Sequence, residues 1–470
     1  MTNHLDYSRA YAVVNEINEL IERDGDLRNL FLWRGWNLWQ SYQGILWTDA
    51  KNWTLGQDQM IGSTVLFLKW VIAGIAITTI SFMSAAFLVL SRRTILIYSV
   101  DKLGGAYQND QRLEPLYEAL AEKQSKYVEI FHTLSTRETV KNFIKRKRPV
   151  MYLESITFIL SPIIWLYSRR AKNITSKLDC NSFIKSEVEK FIALRVISKA
   201  RIILFQALFR ISGVKLIFAI DDVRHYSELM TAAQLSGIPS YGIQHGHFTK
   251  YHTGWLRAND IPGEIMRPRA LLVWSEYWKR ELLRLGTYFK PEEIIVGGNL
   301  PKVEIVEAKD PKISILIPYE ADAPKEEVRR YIEEIVKNSD ARVILKLRPD
   351  HDEKKQMDAY GLKSGERIIA MKSTKEALEN SSLALGTYSS LLYDCVAHMI
   401  PVGILITSLD YGEGMVTNGL ADFVKNIDSI NKLALTSKET LVSRRKKLLG
   451  DNDKELAGSI RDIIKQHVPV

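Results

Sequence analysis

The chain has 470 residues, 46% of them hydrophobic and 25% charged, and carries a formal net charge of +9. That length exceeds what one hydrophobic core serves, so two domains and an appendage are expected, and the composition excludes wholesale disorder. Its two cysteines, Cys180 and Cys395, lie far apart without metal-ligand spacing, which excludes a disulfide framework and a zinc site and agrees with a reducing compartment.

Residues 1–60 read as an N-terminal helical region. A polar amphipathic helix over 1–29 leads into LFLWRGWNLWQSYQGILW at 30–47, with tryptophans at 33, 36, 39 and 47 and a tyrosine at 42. Such rings suit a water–lipid boundary, packing on a neighbouring domain, or stacking on sugars; packing is the preferred reading, although spacing alone does not separate the three. Residues 61–91 hold a candidate transmembrane or membrane-embedded helix, because no position from 70 to 90 carries a formal charge. That length matches the ~20 apolar residues a helix needs to cross hydrocarbon, and it starts too late for a cleavable signal peptide. Arg92, Arg93 and Lys102 would hold the following domains on the cytoplasmic side of the inner membrane. A long helix buried in protein is the competing reading, helped by Gly74, Thr78, Thr79, Ser81 and Ser84.

A first domain is expected over 94–262. It has strands at 94–103 and 127–134, a helix at 113–123 and a mainly helical stretch at 150–212. The basic run Lys141, Lys145, Arg146, Lys147 and Arg148, followed by an apolar stretch and then by Arg169, Arg170 and Lys172, fits an anionic membrane surface or a solvated helix face equally well. At 215–248 an apolar run ends in Asp221-Asp222; a helical stretch, Gly-Ile-Pro and a second apolar run ending in Gln244-His245-Gly246-His247 follow. The turn-rich passage 257–269 reads as a linker. A second domain is expected over 270–470, with strands at 294–298, 313–319, 341–349, 367–371, 382–387 and 402–407. Its segment 382–406 repeats the plan of 215–248: apolar run, Gly-Thr-Tyr-Ser-Ser turn, helix, Ile-Pro, apolar run. Strands alternating with helices predict an α/β fold, two Rossmann-like doubly wound domains facing a cleft, with ligands outside the carboxyl ends of the strands.

The candidate chemistry sits on those strand ends. Thr387, Ser389 and Ser390 occupy a strand-to-helix turn whose hydroxyls and backbone N–H groups suit a phosphate, with N-capping as the plain alternative. Asp394, about one turn into that helix, could reach a ribose or form a surface ion pair. Arg348 and His351 flank Pro349 at another strand end, where Arg348 could clamp a phosphate or stand in solvent. Asp221, Asp222 and His245 end neighbouring strands of the first domain, where a general base would be needed. His245 is preferred, because Gly242 and Gly246 would allow a tight turn that exposes its ring, while the Asp pair could cap a helix. Adjacent strand residues point apart, so a metal site built on the Asp pair is disfavoured.

In order along the chain, Gly237-Ile238-Pro239 to Gln244-His245-Gly246, Gly298-Asn299-Leu300-Pro301, Lys346-Leu347-Arg348-Pro349, and Ser389-Ser390 with Asp394 and Pro401 resemble the motifs of GT-B surface-polysaccharide glycosyltransferases. That group includes capsule synthesis proteins, bacterial sialyl and Kdo transferases, and CDP-glycerol glycerophosphotransferases. The resemblance spans about 94–430. It implies an acceptor domain followed by a nucleotide-sugar donor domain in which Asn299, Arg348, His351, Thr387, Ser389, Ser390 and Asp394 hold the donor. The sialyltransferases imply an acidic pair as base, here Asp221 and Asp222, and the CDP-glycerol enzymes imply the histidine of the His-Gly element, here His245. Family members carry His-Pro where this chain has Arg348-Pro349. The implied enzyme is inverting, needs no metal and no cofactor, and passes a sugar, a CMP-linked acidic one among the options, to a cell-surface polysaccharide or lipid-linked glycan at the membrane. The alternatives are a CDP-polyol phosphotransferase and a non-catalytic membrane scaffold on a degenerate transferase fold. A Rossmann dehydrogenase is disfavoured because no G-x-G-x-x-G follows a strand. Nucleic acid is not an expected partner, since the basic residues flank apolar segments instead of interleaving with an aromatic surface.

Overall fold

The computed structural model describes residues 7–54, 64–101, 110–132, 136–146, 149–220, 226–251, 254–257, 262–298, 313–348, 352–450 and 455–468. The chain divides into two compact units. The first comprises Ser8–Trp274, Lys279–Gly298 and Lys454–Val470; the second comprises Met1–Tyr7, Ser275–Trp278 and Asn299–Asp453.

The main sheet of the first unit has seven strands among the described residues: β1 (Ile95–Val100), β2 (Tyr127–His132), β3 (Val150–Tyr152), β4 (Leu216–Ile220), β5 (Ser240–Ile243), β6 (Ala270–Val273) and β7 (Ile294–Val296). Every pairing within this sheet is parallel and the spatial order is β7-β6-β5-β4-β1-β2-β3. Strands such as ILIYSV and LIFAI are buried along their whole length, which is why they read as continuous apolar runs and not as alternating ones. The second unit carries β8 (Ser314–Pro318), β9 (Arg342–Lys346), β10 (Ile368–Met371), β11 (Leu383–Gly386), β12 (Val402–Leu405) and β13 (Asp422–Val424), again all parallel, in the order β10-β9-β8-β11-β12-β13. Both sheets therefore reverse their winding beside their own first strand, between β1 and β4 and between β8 and β11. Such a reversal opens a crevice at the carboxyl ends of the strands, the usual ligand position in doubly wound sheets.

Four expectations are corrected. The stretch 270–298, read as the start of the second domain, supplies β6 and β7 to the first sheet, because Leu271 and Leu272 pair with both Gly242-Ile243 and Ile294-Ile295. The C-terminal helix Leu456–His467 returns to the first unit, where the Ser459 hydroxyl donates to the Gly297 carbonyl. Residues 150–152, read as helical, form the edge strand β3. Arg146, grouped with a surface basic run, is buried instead: its guanidinium pairs with Asp101 at 2.8 Å and lies 4.2 Å from the Phe131 ring centroid.

The aromatic stretch is packed inside the first unit. Trp36, Trp39, Tyr42 and Trp47 are buried. Tyr42 stacks on Phe191 with centroids 5.0 Å apart, and Asn18 Oδ1 accepts from Trp39 Nε1 at 2.7 Å and Gln43 Nε2 at 2.8 Å. Burying these rings removes a large apolar area from water, and the Asn18 carbonyl satisfies the one polar atom of Trp39.

Candidate functional site

In the second unit the crevice between β8 and β11 is lined by two turns, 319–323 after β8 and 387–390 after β11. The turn after β11 has its backbone amides pointing together, as expected for an anion cradle, and an anion already fills it. Glu320, 2% exposed, accepts from the Thr387 amide at 2.9 and 3.1 Å, from the Thr387 hydroxyl at 2.6 Å, from the Tyr388 amide at 2.7 Å and from the Ser389 amide. Burial raises the Glu320 carboxyl above its ordinary value, and the four donors oppose that shift. The amides of Thr387, Tyr388 and Ser389 are thus taken by a carboxylate that the chain itself supplies.

The turn that carries Glu320 is itself braced. Lys325 Nζ donates to the Glu320, Ala321 and Ala323 carbonyls and stands 5.0 and 5.1 Å from the Tyr319 and Tyr360 ring centroids. Burial lowers its pKa to about 8. The Glu320 amide donates to the Tyr360 hydroxyl at 3.4 Å, and the Asp322 amide donates to the Tyr388 hydroxyl at 3.0 Å. Gly412 lies directly against the other turn, where a Cβ would fall 2.1 Å from the Thr387 carbonyl oxygen.

Ser389 Oγ accepts from the Leu391 amide at 3.3 Å, so it makes the local turn bond expected of a serine before a helix, while Ser390 makes no side-chain cap and is exposed. These two hydroxyls remain at the surface of the turn. Asp394 is an exposed residue with protein close around its carboxyl, which pushes it up to about 6. Arg348 follows β9. The buried Gln356 grips its backbone, accepting from the Arg348 amide at 2.8 Å and donating to its carbonyl at 3.1 Å. The guanidinium is exposed, and its charge bears on Lys325 and Tyr388. The structure thus gathers Arg348, Thr387, Ser389 and Ser390, together with the unforeseen Glu320, Lys325 and Tyr388, at one sheet's carboxyl edge. Asn299 and His351 lie outside the described residues.

In the first unit β5 ends at Ile243, so Gln244 and His245 follow a strand's carboxyl end. Gln244 is buried and fastens the turn: its amide donates to Leu272 O at 2.9 Å, its Oε1 accepts from the Trp274 amide at 3.0 Å, and its Nε2 donates to Gly246 O at 2.8 Å. The His245 ring is half-buried beside Trp255, with centroids 6.0 Å apart. The expected role of the two glycines changes. Gly242 lies within β5, where a Cβ would press on Leu271 and Pro268 at 3.1 Å, and Gly246 has open space and no positive φ. Gln244 therefore shapes this turn. Asp221 and Asp222 directly follow β4, but their placement lies outside the described residues. Burial lowers His247 to about 4.

A cavity of about 890 Å³ in the second unit is lined by Ile313, Ser339, Arg342, Arg367 and neighbours, at the amino ends of β8 to β10. It lies opposite the reversal point, and Arg367 there is spent on the Val336, Ser339 and Ala341 carbonyls.

No family model matches the sequence, and no curated protein is found similar to it. Among solved structures, the calicheamicin glycosyltransferase CalG4 superposes with a TM-score of 0.50 at 11% identity, covering 81% of this chain and 100% of that one. The kitacinnamycin glycotransferase gives 0.49 at 12% identity, covering 80% and 99%, and SnogD from Streptomyces nogalater gives 0.45 at 11%, also covering 80% and 99%. At these identities only the fold follows, and only the first likeness is close enough to carry it. The chain has an α/β fold of parallel sheets, and that fold is the one CalG4 adopts.

Proposed function

We propose that the chain is a glycosyltransferase that moves a sugar from a nucleotide-activated donor to a cell-surface polysaccharide or lipid-linked glycan, at the cytoplasmic face of the inner membrane. A CMP-linked acidic sugar is the donor favoured by the motif resemblance. The observation that carries the reading is the reversal point of the second sheet, where Ser389 and Ser390 follow the carboxyl end of β11 and Arg348 follows that of β9, on the other side of β8. In this reading the two hydroxyls and the planar guanidinium receive the donor phosphates, and Asp394 takes the ribose. His245 accepts the proton of the attacking acceptor hydroxyl, with Asp222 as the competing base. The fold likeness to CalG4 supports the reaction class and leaves the donor and acceptor open.

The test is transfer and hydrolysis with detergent-solubilised protein and a panel of radiolabelled nucleotide sugars and CDP-polyols. A nucleotide sugar as the sole reactive donor supports the proposal; a CDP-polyol would move the chain to the polyol-phosphate transferases. Glu320 supports a second reading, a non-catalytic scaffold, because it fills amides that a donor phosphate would otherwise use. Calorimetry that detects no nucleotide binding to folded protein decides for that reading. With an active donor in hand, His245→Ala should abolish transfer and leave donor affinity nearly intact.

A further inference from the structure

The helix Thr64–Ser91 is long and apolar, with a mean hydropathy of 1.9 over Gly74–Ser91. Length and composition alone would let it span a bilayer. Its two faces say otherwise. Gly74, Ile77, Ser81, Ser84 and Leu88 are buried and recur at helical spacing, so they form one stripe turned into the first unit. Within that stripe Ser84 Oγ accepts from the Val150 amide at 3.0 Å and Ser81 Oγ from the Tyr152 amide at 2.9 Å. The helix therefore closes the free edge of β3, and a Cβ on Gly74 would fall 2.2 Å from the Phe158 ring, so the helices touch closely there. A span would place Ser81 and Ser84 near mid-bilayer and strip both edge amides of their acceptors, which lipid cannot replace.

The opposite face is apolar and uncovered. Phe82, Met83 and Leu90 are 77%, 67% and 83% exposed. Elements packed nearby add exposed apolar side chains, among them Ile159, Trp165, Leu166 and Ile211. Cations stand among these side chains: Arg169 lies 3.9 Å from the Trp165 ring centroid, Arg93 lies 5.1 Å from that of Phe87, and Arg92, Lys145, Arg170 and Arg210 are at least partly exposed. Large apolar side chains set among cations are the complement of an anionic lipid leaflet: acyl chains accept the former and phosphates the latter.

We infer that this helix does not cross the membrane but lies in its plane, and that the face it shares with the helices at 154–175 and 182–211 docks the first unit onto an anionic leaflet. The inference rests on the membrane location proposed above and specifies its form: both ends of the helix stay on one side.

Two measurements on the full chain test it. In a Cys180→Ser, Cys395→Ala background, Lys51→Cys and Arg92→Cys are exposed to a membrane-impermeant maleimide in membrane vesicles of both orientations. Labelling of both positions from the same side is expected; labelling from opposite sides establishes a span and overturns the inference. Separately, purified protein is sedimented with vesicles of equal parts phosphatidylcholine and phosphatidylglycerol. Phe82→Glu with Leu90→Glu should reduce partitioning on the order of 100-fold, with an unchanged circular dichroism spectrum. Arg169→Glu with Arg170→Glu should abolish the preference for these vesicles over phosphatidylcholine alone. Wild-type protein that ignores vesicles and sediments as a stable dimer overturns the inference in favour of a second copy on this face. Donor-dependent transfer by such a protein would leave the enzymatic reading standing.

Discussion

Glu320→Gln separates the two forces acting on the carboxylate at the second crevice. The wild-type side chain is nearly isolated from water and receives three backbone amides and one hydroxyl. In the glutamine variant an amide oxygen at the Oε1 position keeps the Tyr388 and Ser389 donors and the longer 3.1 Å bond from the Thr387 amide, while its NH2 replaces the acceptor of the 2.9 Å bond from that amide, donor against donor. A hydrogen bond to a charged group contributes about 1.5–3 kcal/mol, and an unsatisfied buried donor costs about 1–3 kcal/mol. Removing a buried charge works in the opposite direction, since burial already raises the Glu320 carboxyl. The balance is a loss of about 2 kcal/mol for glutamine. Glu320→Ala leaves all four donors without their acceptor and should lose about 4 kcal/mol or more. Urea denaturation of the full chain, with amide exchange read at residues 387–389, measures both: exchange there should quicken in the order wild type, Gln, Ala. A glutamine variant as stable and as protected as the wild type would refute the reasoning, because desolvation would then outweigh the donors.

Other predictions follow from single contacts. Gly412→Ala should displace the Thr387 turn, because no rearrangement of a flexible side chain can relieve a 2.1 Å approach to a backbone oxygen; the expected result is lost nucleotide affinity with a cooperative melt retained. Arg146→Met leaves Asp101 as an uncompensated buried charge and should cost about 3–5 kcal/mol in chemical denaturation, with Asp101→Asn in the same chain recovering much of it. His247 is held near 4 by burial, so the unfolded chain binds the extra proton between about 4 and 6.5 and stability should fall as pH drops through that window. Denaturation midpoints from pH 7 to pH 4 should show that slope, and His247→Gln should remove it.

Sequence patterning alone determined the alternation of strands and helices, because a parallel strand buried on both faces must be a short apolar run closed by turn residues. It also determined that Gln244-His245 and Thr387 to Ser390 follow strand ends, since the runs before them stop there. Three things needed the tertiary structure. The partner of the 387–389 amides is Glu320, 67 positions away; no local signal marks that glutamate, and only the pairing of β8 with β11 brings the two turns together. The allocation of β6 and β7 to the first sheet depends on which edge accepts them, and apolar runs of similar composition do not encode a neighbour. The same holds for the apolar helix. Its composition is equally consistent with a membrane span and a helix packed on the protein, and what the fold adds is the edge of β3, whose amides at 150 and 152 find acceptors in Ser84 and Ser81. Local propensity and periodicity act within a few residues; sheet order, buried charge pairing and edge capping are set by contacts that exist only once the chain has folded.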